Sequence, residues 1–405
     1  MPGAAGVPSG SGFRTLEFFA GIGLVRAALE PLGARVVWAN DIVSAKRDAY
    51  AANHDAAHFR LGDVRDVRAI ELPADIELAT SSFPCVDLSL AGNRRGLEGL
   101  QSGMFWEFAR VLAEMGAGRP RVVLLENVHG FATSHGGADL TRALRELAAL
   151  DYSCDVFSVD ARHFVPQSRP RMFIVGIRGA LPAGARRGSP PLSSSRPAWV
   201  RRVHERHANL GMHHLPLPEL PEGPVDLSPI VQRLGADDER WWDRARVGAF
   251  VGSLSEAQLE RLASLRDAEA VSYRTAYRRT RNGVAVWELR RDGIAGCLRT
   301  TGGGSSKQAL AVLGNGDVRV RWMTPSEYAR LMGAGDYRLR GATANQALFG
   351  FGDAVVVDVI RWIGQHYLLP TLRPDPAGGR TPACAQACSP GLATGLGHTC
   401  LGRDR

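Results

Sequence analysis

A cysteine stands where a predicted strand gives way to a polar loop. An apolar run over residues 76–79 leads into Phe83-Pro84-Cys85, and a glycine-punctuated loop follows. Pro84 lacks an N–H and fixes its own φ, which stiffens the chain just before the thiol. Because α/β folds place their chemistry at the carboxyl ends of strands, Cys85 is a candidate nucleophile. The alternative is a structural thiol, since free cysteines are among the most buried residues.

A carboxylate and two guanidiniums stand at the ends of other predicted strands. The apolar strand 121–125 delivers Glu126 at its carboxyl end, where the carboxylate would be partly withdrawn from water, as a proton donor near neutral pH requires. Taken alone, Glu126 could equally cap a helix or lie on the surface. Arg169 and Arg171 precede the strand 172–177 two positions apart, so their side chains point the same way and could line one site.

A glycine turn and two acids predict a nucleoside pocket at the same edge. The first strand runs into a turn with Gly21 and Gly23, which lets a ligand approach the backbone closely. Arg26 occupies the place of the third glycine of the dinucleotide fingerprint, which argues against NAD. Asp41 follows the second strand about twenty residues after the glycines, a spacing that suits a ribose diol, and Asp63 follows the third strand. This combination favours S-adenosylmethionine.

Strands and helices alternate around these residues, as in an α/β domain. The predicted strands cover residues 15–18, 35–39, 58–61, 76–79, 121–125, 154–160 and 172–177, and amphipathic helices cover 24–32, 103–115 and 139–150.

Charge and length point to a nucleic-acid partner and more than one domain. The chain has 405 residues, of which 45% are hydrophobic, and it carries a formal charge of +8. Lys46 and Lys307 are its only lysines, so nearly all the positive charge is arginine. Arginine presents planar forks that suit phosphates and guanine edges. The alternative is a protein that is merely basic.

The remaining composition indicates a cytoplasmic protein. Six cysteines are too few for a disulfide scaffold, and the first residues lack the basic and apolar segments of a signal peptide. No apolar run approaches the ~20 residues of a membrane span. We therefore expect no membrane association, and localisation with the nucleoid through DNA binding.

Ordered motifs make the chain resemble the DNA cytosine-5 methyltransferases of bacterial restriction-modification type. The resemblance covers most of residues 13–180 and 297–365, and the set of motifs is far more specific than any one of them. The motifs are Phe19-Ala20-Gly21-Ile22-Gly23, Phe83-Pro84-Cys85, Glu126-Asn127-Val128, Gln167-Ser168-Arg169-Pro170-Arg171, Arg299-Thr300-Thr301-Gly302-Gly303-Gly304, Leu331-Met332-Gly333 and Gln346-Ala347-Leu348-Phe349-Gly350-Phe351-Gly352-Asp353-Ala354-Val355.

The resemblance implies a role for each candidate catalytic residue. A thiolate from Cys85 would add to C6 of cytosine and make C5 nucleophilic, with Glu126 acting at N3. Arg171 is the expected contact to O2, and Arg169 would order the site. Because the ring is attacked from its faces, the base must leave the duplex first. The loop 88–102 would close over it with Asn93, Arg94 and Arg95.

The resemblance also implies an S-adenosylmethionine site, with some departures from the family pattern. Asp41 replaces the usual Glu, Leu24 a common Gly, and Val86 a common Gln. Gly352-Asp353-Ala354-Val355 stands for Gly-Asn-Ser-Val, which bears on the methionine end of the cofactor. The expected cofactor-binding residues are Phe19, Ala20, Gly21, Gly23, Asp41, Ile42, Asp63, Val64, Pro84 and Asp353.

The predicted fold is an open, mostly parallel α/β sheet of the S-adenosylmethionine-dependent methyltransferase type, with a smaller inserted target-recognition domain. We expect a disordered N-terminus at 1–12, the first part of the catalytic domain at 13–180, target recognition at 181–315, helices returning to the catalytic domain at 316–369 and a disordered tail at 370–405. Residues 181–230 are predicted to be loops, because they show little periodicity.

Aromatic residues alternate with arginines near the end of the predicted recognition domain, where the expected DNA-contacting face lies. A solvated charge run is the alternative. The DNA-contacting residues predicted there are Arg274, Arg278, Arg279, Arg281 and Lys307.

The C-terminal part is predicted to be helical again. Thr324 caps a helix with Pro325 in its first turn and Glu327 three residues on, and 353–362 is predicted to be a buried helix. The tail contains possible zinc ligands, but their spacing matches no strong template, so we predict no metal. These residues are Cys384, Cys388, His398 and Cys400.

The sequence thus predicts a monomeric enzyme that methylates C5 of cytosine in a specific duplex DNA sequence, paired with a separate restriction endonuclease. One alternative is a tRNA cytosine-5 methyltransferase of the same fold. A second is a catalytically dead DNA-binding regulator, which the presence of Cys85, Glu126 and Arg171 disfavours. A nicotinamide oxidoreductase comes third and is weakened by Arg26.

Overall fold

A seven-stranded sheet organises the larger part of the chain. The computed structural model describes residues 12–84, 96–99, 103–281, 283–300 and 307–373. The strand order is β3-β2-β1-β4-β5-β7-β6, and only β7 runs antiparallel to its neighbours. The predicted open, mostly parallel sheet is confirmed. Its strands are β1 (Phe13–Phe18), β2 (Ala34–Asp41), β3 (Phe59–Leu61), β4 (Leu78–Ser81), β5 (Val122–Val128), β6 (Ser153–Asp160) and β7 (Pro170–Ile177).

The helices of the chain vary in length from single turns to three turns. Those before residue 270 are α1 (Leu24–Leu29), α2 (Ser44–Ala51), α3 (Met104–Glu114), α4 (Gly130–Thr133), α5 (Ala138–Ala149), α6 (Ala198–Arg206), α7 (Arg244–Gly252) and α8 (Glu256–Arg266). Those that follow are α9 (Pro325–Leu331), α10 (Ala344–Asp353), α11 (Val357–Ile363) and α12 (Leu369–Leu372). No helix in these described ranges is both long and apolar enough to cross a bilayer.

The two faces of the large sheet bury separate apolar cores. Successive residues of a strand point to opposite faces, so Leu124 of β5 packs into one core while Val123 and Leu125 pack into the other. Helices α1 and α11 cover the first face, and α3 and α5 cover the second. Strands that are buried on both faces read as continuous apolar runs, which is why the sequence predicted them well.

A smaller antiparallel sheet follows along the chain. Its order is β11-β10-β12-β13, formed by β10 (Ser272–Arg281), β11 (Val284–Leu289), β12 (Gln308–Gly314) and β13 (Asp317–Trp322). One face packs on α7 and α8 through a cluster that includes Trp242, Phe250 and Leu262. The predicted domain boundary at 315/316 falls in the turn between β12 and β13, and this sheet continues to Trp322.

Two local predictions are wrong. The stretch 181–230 contains α6 and the strand pair β8 (Arg186–Arg187) and β9 (His213–His214). Arginines dominate α6, and only Trp199, Val200 and Val203 turn an apolar side inward, so its periodicity was too weak to recognise. The helix predicted over 353–362 is interrupted, because Ala354 is extended after α10 and α11 begins only at Val357.

A buried ion pair joins the smaller sheet to the helices that follow it. Arg321 of β13 donates to both carboxylate oxygens of Glu327 in α9, at 2.8 Å and 2.5 Å, and both side chains are 0% exposed. Glu327 also accepts from the N–H of Thr324 while the Thr324 hydroxyl caps the helix, which confirms the predicted capping motif.

Replacing Glu327 with alanine is expected to lower the free energy of unfolding by about 3–5 kcal/mol, because Arg321 would stay buried without its counter-charge. Thr324→Ala is the matched control, since it removes only a cap and should cost about 1 kcal/mol. Urea unfolding followed by circular dichroism measures both values. Equal losses in the two variants would contradict a special role for the ion pair.

Candidate functional site

Strand pairing brings the candidate residues to one edge of the large sheet. Phe18 pairs with Ser81 and Ser81 with Leu125, so the carboxyl ends of β1, β4 and β5 lie side by side. Strand β7 runs the opposite way, so Arg171 at its beginning pairs with Val128 at the end of β5. The glycine turn, the chain that leads to Cys85, Glu126 and Arg171 therefore share this edge.

Glu126 and Arg171 form an ion pair at this edge. Nε of Arg171 lies 2.9 Å from Oε1 of Glu126, and the two side chains are only 16% and 12% exposed. The guanidinium of Arg171 thus lies directly against a carboxyl group that is largely withdrawn from water. Together the two groups offer a carboxyl and a fork of N–H donors to a planar polar ligand.

Arg169 is buried and reaches two other segments of the chain. It donates to the carbonyl oxygen of Leu298 at 3.0 Å, and to those of Gly352 and Ala354 at 3.0 Å and 2.6 Å. These hydrogen bonds connect the residue before β7 to the segment that precedes Arg299 and to the end of α10. Arg169 thus has the geometry of a residue that organises the site.

Cys297 lies between the two arginines, and no sequence feature pointed to it beyond its place in a segment that resembles the family. Its Sγ is 3.2 Å from Nη1 of Arg169 and 3.6 Å from Nη2 of Arg171. Burial acts to raise the pKa of this thiol, but the charges of Arg169 and Arg171 outweigh it and leave the pKa below its ordinary value. Both guanidiniums therefore face one small region.

Asn127 connects β5 to the approach to the candidate nucleophile. Its side-chain amide donates to the carbonyl oxygen of Phe83 at 3.1 Å. Phe83 is therefore fixed beside Glu126, and Pro84 follows it. The predicted catalytic residue that comes next lies outside the described residues, and so do three predicted DNA contacts in the loop that follows. These residues are Cys85, Asn93, Arg94 and Arg95.

The glycine turn adopts a conformation that only small residues accommodate well. Gly21 and Gly23 have φ values of +58° and +82°, and a Cβ on Gly23 would lie 2.8 Å from carbons of Tyr50 and His54. Asp41 spans the turn, because Oδ2 accepts from the N–H of Gly21 at 3.0 Å and Oδ1 from the N–H of Val43 at 2.9 Å. Asp41, which was predicted to meet a ribose, thereby connects the glycine turn to the end of β2.

The surroundings of Asp41 fit an adenosyl group. Ile42 is 63% exposed directly after it, and Leu61 is 44% exposed at the end of β3, so apolar surface is open at the edge of the sheet. Hydrogen bonds from Arg65 hold the pKa of Asp63 below its ordinary value, which keeps a charged acceptor there. Apolar surface for a base beside two carboxylates matches the donor and acceptor pattern of adenosine.

Other predicted cofactor residues lie next to the glycine turn, next to Asp63 and at the end of α10. The N–H of Ala20 donates to the carbonyl oxygen of Asn40 at 2.8 Å, and Phe19 has a φ of +56°. Val64 is buried beside Asp63. Asp353, at the end of α10, forms an ion pair with Lys46 of α2, where Nζ lies 2.8 Å from Oδ2.

The predicted DNA contacts do not share one face of the smaller sheet. Arg279 and Arg281 lie on the side of Tyr277 and pair with Glu288. On that same side Tyr273 packs against the core of the large sheet. The other two, Arg274 and Arg278, project with Ala276 toward the side of α7 and α8, because strand residues alternate. Lys307 is half-buried at the start of β12.

The fold of the chain is shared with solved methyltransferases. The structure of the Entamoeba histolytica methyltransferase EhMeth is similar, with a TM-score of 0.60 and 13% identity over 89% of this chain and 98% of that one. The S. pombe Dnmt2 methyltransferase gives 0.53 and 19% over 88% and 98%. Sequence identities of 13% and 19% support a shared fold and no shared activity or substrate.

The sequence comparisons establish the family. The family model for C-5 cytosine-specific DNA methylase matches residues 13–368, and the chain belongs to this family of DNA cytosine-5 methyltransferases. The type II methyltransferase M.HhaI of Haemophilus parahaemolyticus is 27% identical over 358 residues, which cover 88% of this chain and 94% of that protein. M.PspPI of Psychrobacter sp. (strain TA137), also a type II methyltransferase, is 34% identical over 42% of this chain and 40% of that protein. The predicted family is therefore confirmed.

A buried carboxyl group lies beneath the glycine turn. Glu17 of β1 is 1% exposed, and burial raises the pKa of its carboxyl to about 8, because the nearby N–H and charge of Arg26 offset only part of the desolvation. The folded protein therefore holds a proton there that the unfolded chain releases near the ordinary value of 4.5.

Glu17→Gln should therefore become more stable relative to the wild type as the pH rises from 5 to 8. The folded wild type binds one more proton than the unfolded chain in this window, so its stability falls with rising pH by up to about 1.4 kcal/mol per unit. Glutamine keeps the volume and does not titrate. Urea unfolding at several pH values measures the difference, and a difference that is constant with pH would contradict the raised pKa.

Proposed function

We propose that the protein transfers a methyl group from S-adenosylmethionine to C5 of a flipped cytosine in a specific duplex DNA sequence, through a covalent bond between Cys85 and C6. It would act as the modification enzyme of a restriction-modification system, in the cytoplasm and as a monomer, beside a separate endonuclease. The observation that carries the proposal is the Glu126–Arg171 ion pair, at the edge where Asn127 also holds Phe83.

The donor groups at this edge match the polar edge of cytosine. Arg171 would donate to O2 of the base while Glu126 supplies a proton at N3, so that the Cys85 thiolate can bond to C6 and leave an enamine that is nucleophilic at C5. C5 would then take the methyl group from the sulfonium, whose sulfur leaves as a neutral thioether. The proton at C5 would pass to a water molecule, the bond between sulfur and C6 would break to restore the thiolate, and N3 would return its proton to Glu126. Arg169 is a positioning residue, because its hydrogen bonds reach backbone carbonyls on both sides of the site.

The cofactor would supply the methyl group from its sulfonium. Asp41 would bind the ribose, Ile42 and Leu61 would cover the adenine, and Asp63 would meet a polar edge of it. The glycine turn would let the ligand lie close to the backbone, since Gly21 has open space where a Cβ would stand. The remaining predicted residues, Phe19, Ala20, Val64 and Pro84, would complete the walls of the pocket.

Contacts with DNA would come from the face of the smaller sheet that carries Arg279 and Arg281. Tyr273 on that face packs toward the large sheet, so the two arginines are turned to the same side as the catalytic portion. On binding, DNA phosphates would replace Glu288 as the partner of these two arginines. Guanidinium groups suit this replacement, because their planar N–H donors also match phosphate. Arg274 and Arg278, on the opposite face, are weaker candidates.

Incubation of the protein with S-adenosylmethionine and duplex DNA that contains 5-fluorocytosine at the target position should leave a covalent adduct on Cys85. Fluorine at C5 cannot leave as a proton does, so the bond between sulfur and C6 would persist. Mass spectrometry of peptides locates the adduct. Cys154→Ala is the control, because burial raises the pKa of Cys154 to about 12 and its thiol should be inert. Methylation of the normal duplex without any adduct would contradict the covalent mechanism.

Duplex DNA should be methylated at one recurring sequence, and tRNA should not. Bisulfite sequencing of DNA from cells that express the protein identifies the modified cytosines, and the purified protein can be given tRNA as a competing substrate. Methylation of tRNA without methylation of DNA would favour the alternative substrate. A Cys85→Ala variant that preserves every cellular effect of the wild type would instead favour a regulator without catalysis.

A further inference from the structure

Helix α6 carries arginines on its solvent side that the sequence motifs do not account for. Arg201 pairs with Glu205 at 2.9 Å, one turn along the helix. Within the described residues, in contrast, no carboxylate lies within ion-pair distance of Arg202 or Arg206. Both residues are exposed, and because they are four positions apart they lie on one face of the helix.

Both ends of α6 are held against the chain that leaves the edge of the large sheet where Glu126 lies, which we call the catalytic edge. At the first turn of α6, the ring of Trp199 lies 5.0 Å from that of His129, which directly follows β5. At its last turn, Nη1 of Arg206 donates to the carbonyl oxygen of Gly136 at 3.5 Å, in the segment between α4 and α5. Helix α6 therefore runs beside the catalytic edge.

Helix α5 places a third arginine beside this pair. The hydroxyl of Thr141 lies 2.8 Å from Nε2 of His207, so α5 meets the end of α6 directly. Arg145 is one turn further along α5 and exposed, and it has no carboxylate within ion-pair distance in the described parts of the chain. Burial lowers the pKa of His207, and the charges of Arg206 and Arg145 act in the same direction, so both guanidinium groups lie near this imidazole. Arg145, Arg202 and Arg206 are the α5–α6 surface.

Arginines at the opposite end of the large sheet are arranged differently. Near β3, Arg60 lies 2.8 Å from a carboxylate oxygen of Glu71, and Arg65 lies 2.5 Å from one of Asp63. The charges there compensate one another locally, whereas the α5–α6 surface turns three positive charges to solvent. Like charges that repel one another destabilise the compact state, so such a surface suits a polyanionic partner.

Duplex DNA is the polyanion on which the family of this chain acts. A base held at Glu126 and Arg171 belongs to a duplex that continues on both sides of the target, so a helix beside the catalytic edge can reach the backbone of that duplex. Helix α6 has nine residues and spans about 13 Å, which equals the rise of about four base pairs.

We infer that the α5–α6 surface is a second contact surface for duplex DNA, in which Arg145, Arg202 and Arg206 bind phosphates of the segment that flanks the target sequence. The inference rests on the proposed function, since the flanking segment comes here only when the target base lies at the catalytic edge. Phosphate contacts carry no direct sequence information, so this surface adds affinity and leaves the methylated sequence unchanged. Counterions that the phosphates release make this affinity depend on salt.

The alternative role is a solvated face that contributes only to solubility. Such a face would act on DNA through the net charge of the protein alone, and any three exposed arginines would then have the same effect. The two roles therefore differ in whether the position of the arginines matters.

Binding to two duplexes at several salt concentrations distinguishes the roles. Both duplexes contain the sequence that bisulfite sequencing identifies, with flanks of about fifteen base pairs in the long duplex and about two in the short one, because the surface spans about four. For the triple variant Arg145→Gln/Arg202→Gln/Arg206→Gln and the long duplex, the slope of log K against log salt should be smaller by about 2.7, at about 0.9 for each lost phosphate contact. Between about 50 and 200 mM salt, the affinity of this variant should therefore fall about 40-fold less than that of the wild type. Affinity for the short duplex and its methylation should match the wild type. Fluorescence anisotropy of labelled duplexes measures the affinities.

Arg35→Gln/Arg60→Gln/Arg68→Gln is the matched control, because it removes the same charge from exposed arginines around β2 and β3, and its slope should equal that of the wild type. Circular dichroism and melting temperatures check that the variants are folded. An unchanged slope in the α5–α6 variant would overturn the second surface. An equal loss of slope in the control, or the same loss with both duplexes, would do so in favour of net charge alone. A wild type that methylates no cytosine would overturn the proposed function itself.

Discussion

The arrangement of the site depends on one buried guanidinium. Arg169 donates hydrogen bonds to backbone carbonyls of Leu298, Gly352 and Ala354, and thereby joins segments that are far apart in sequence. A buried guanidinium is unfavourable unless carbonyl or carboxylate oxygens accept from its N–H groups. Moving any of these three carbonyl groups away from Arg169 would therefore cost considerable free energy. The edge of the large sheet, the segment between β11 and β12 and the end of α10 are consequently held in one geometry.

The direction of β7 is the second requirement, and it could not be predicted from sequence. The sequence pattern predicts a strand at 172–177, but the same residues would form a parallel or an antiparallel strand equally well. In a parallel orientation, Arg171 would begin its strand at the opposite edge of the sheet, away from Glu126. Because β7 is antiparallel between β5 and β6, its first residues meet the last residues of β5.

The parts of the fold that the sequence predicted well are those with strong local signals. Apolar strands, the glycine turn and the Thr324–Glu327 cap depend on residues close in sequence. Helix α6 was not predicted, because its many arginines weaken the helical pattern of apolar residues. The break after Asp353 was not predicted, because a buried helix and a buried extended segment have similar apolar sequences. The partners of Lys46 and Cys297 could not be foreseen, since their contacts join residues that are distant in sequence.

The motifs predicted that the candidate site residues share one edge of the sheet, but they did not predict the direction of each side chain. Each motif marks a strand end, and parallel strands bring such ends together, so the common edge follows from the order of elements. The order of elements did not predict on which face of the smaller sheet each arginine of β10 lies. Alternation along a strand separates neighbours onto two faces, and only the packing of Ala276 and Tyr273 shows which face is which.

The packing of α11 on α1 has a consequence for the order in which the molecule is made. Translation releases β1, the glycine turn and α1 first, while the helices that cover them emerge hundreds of residues later. During that interval the apolar side of α1 has no native cover, so a nascent chain must hold it in a provisional arrangement or on a chaperone. The glycine turn and α1 therefore gain their full native packing only after α10 and α11 have been made.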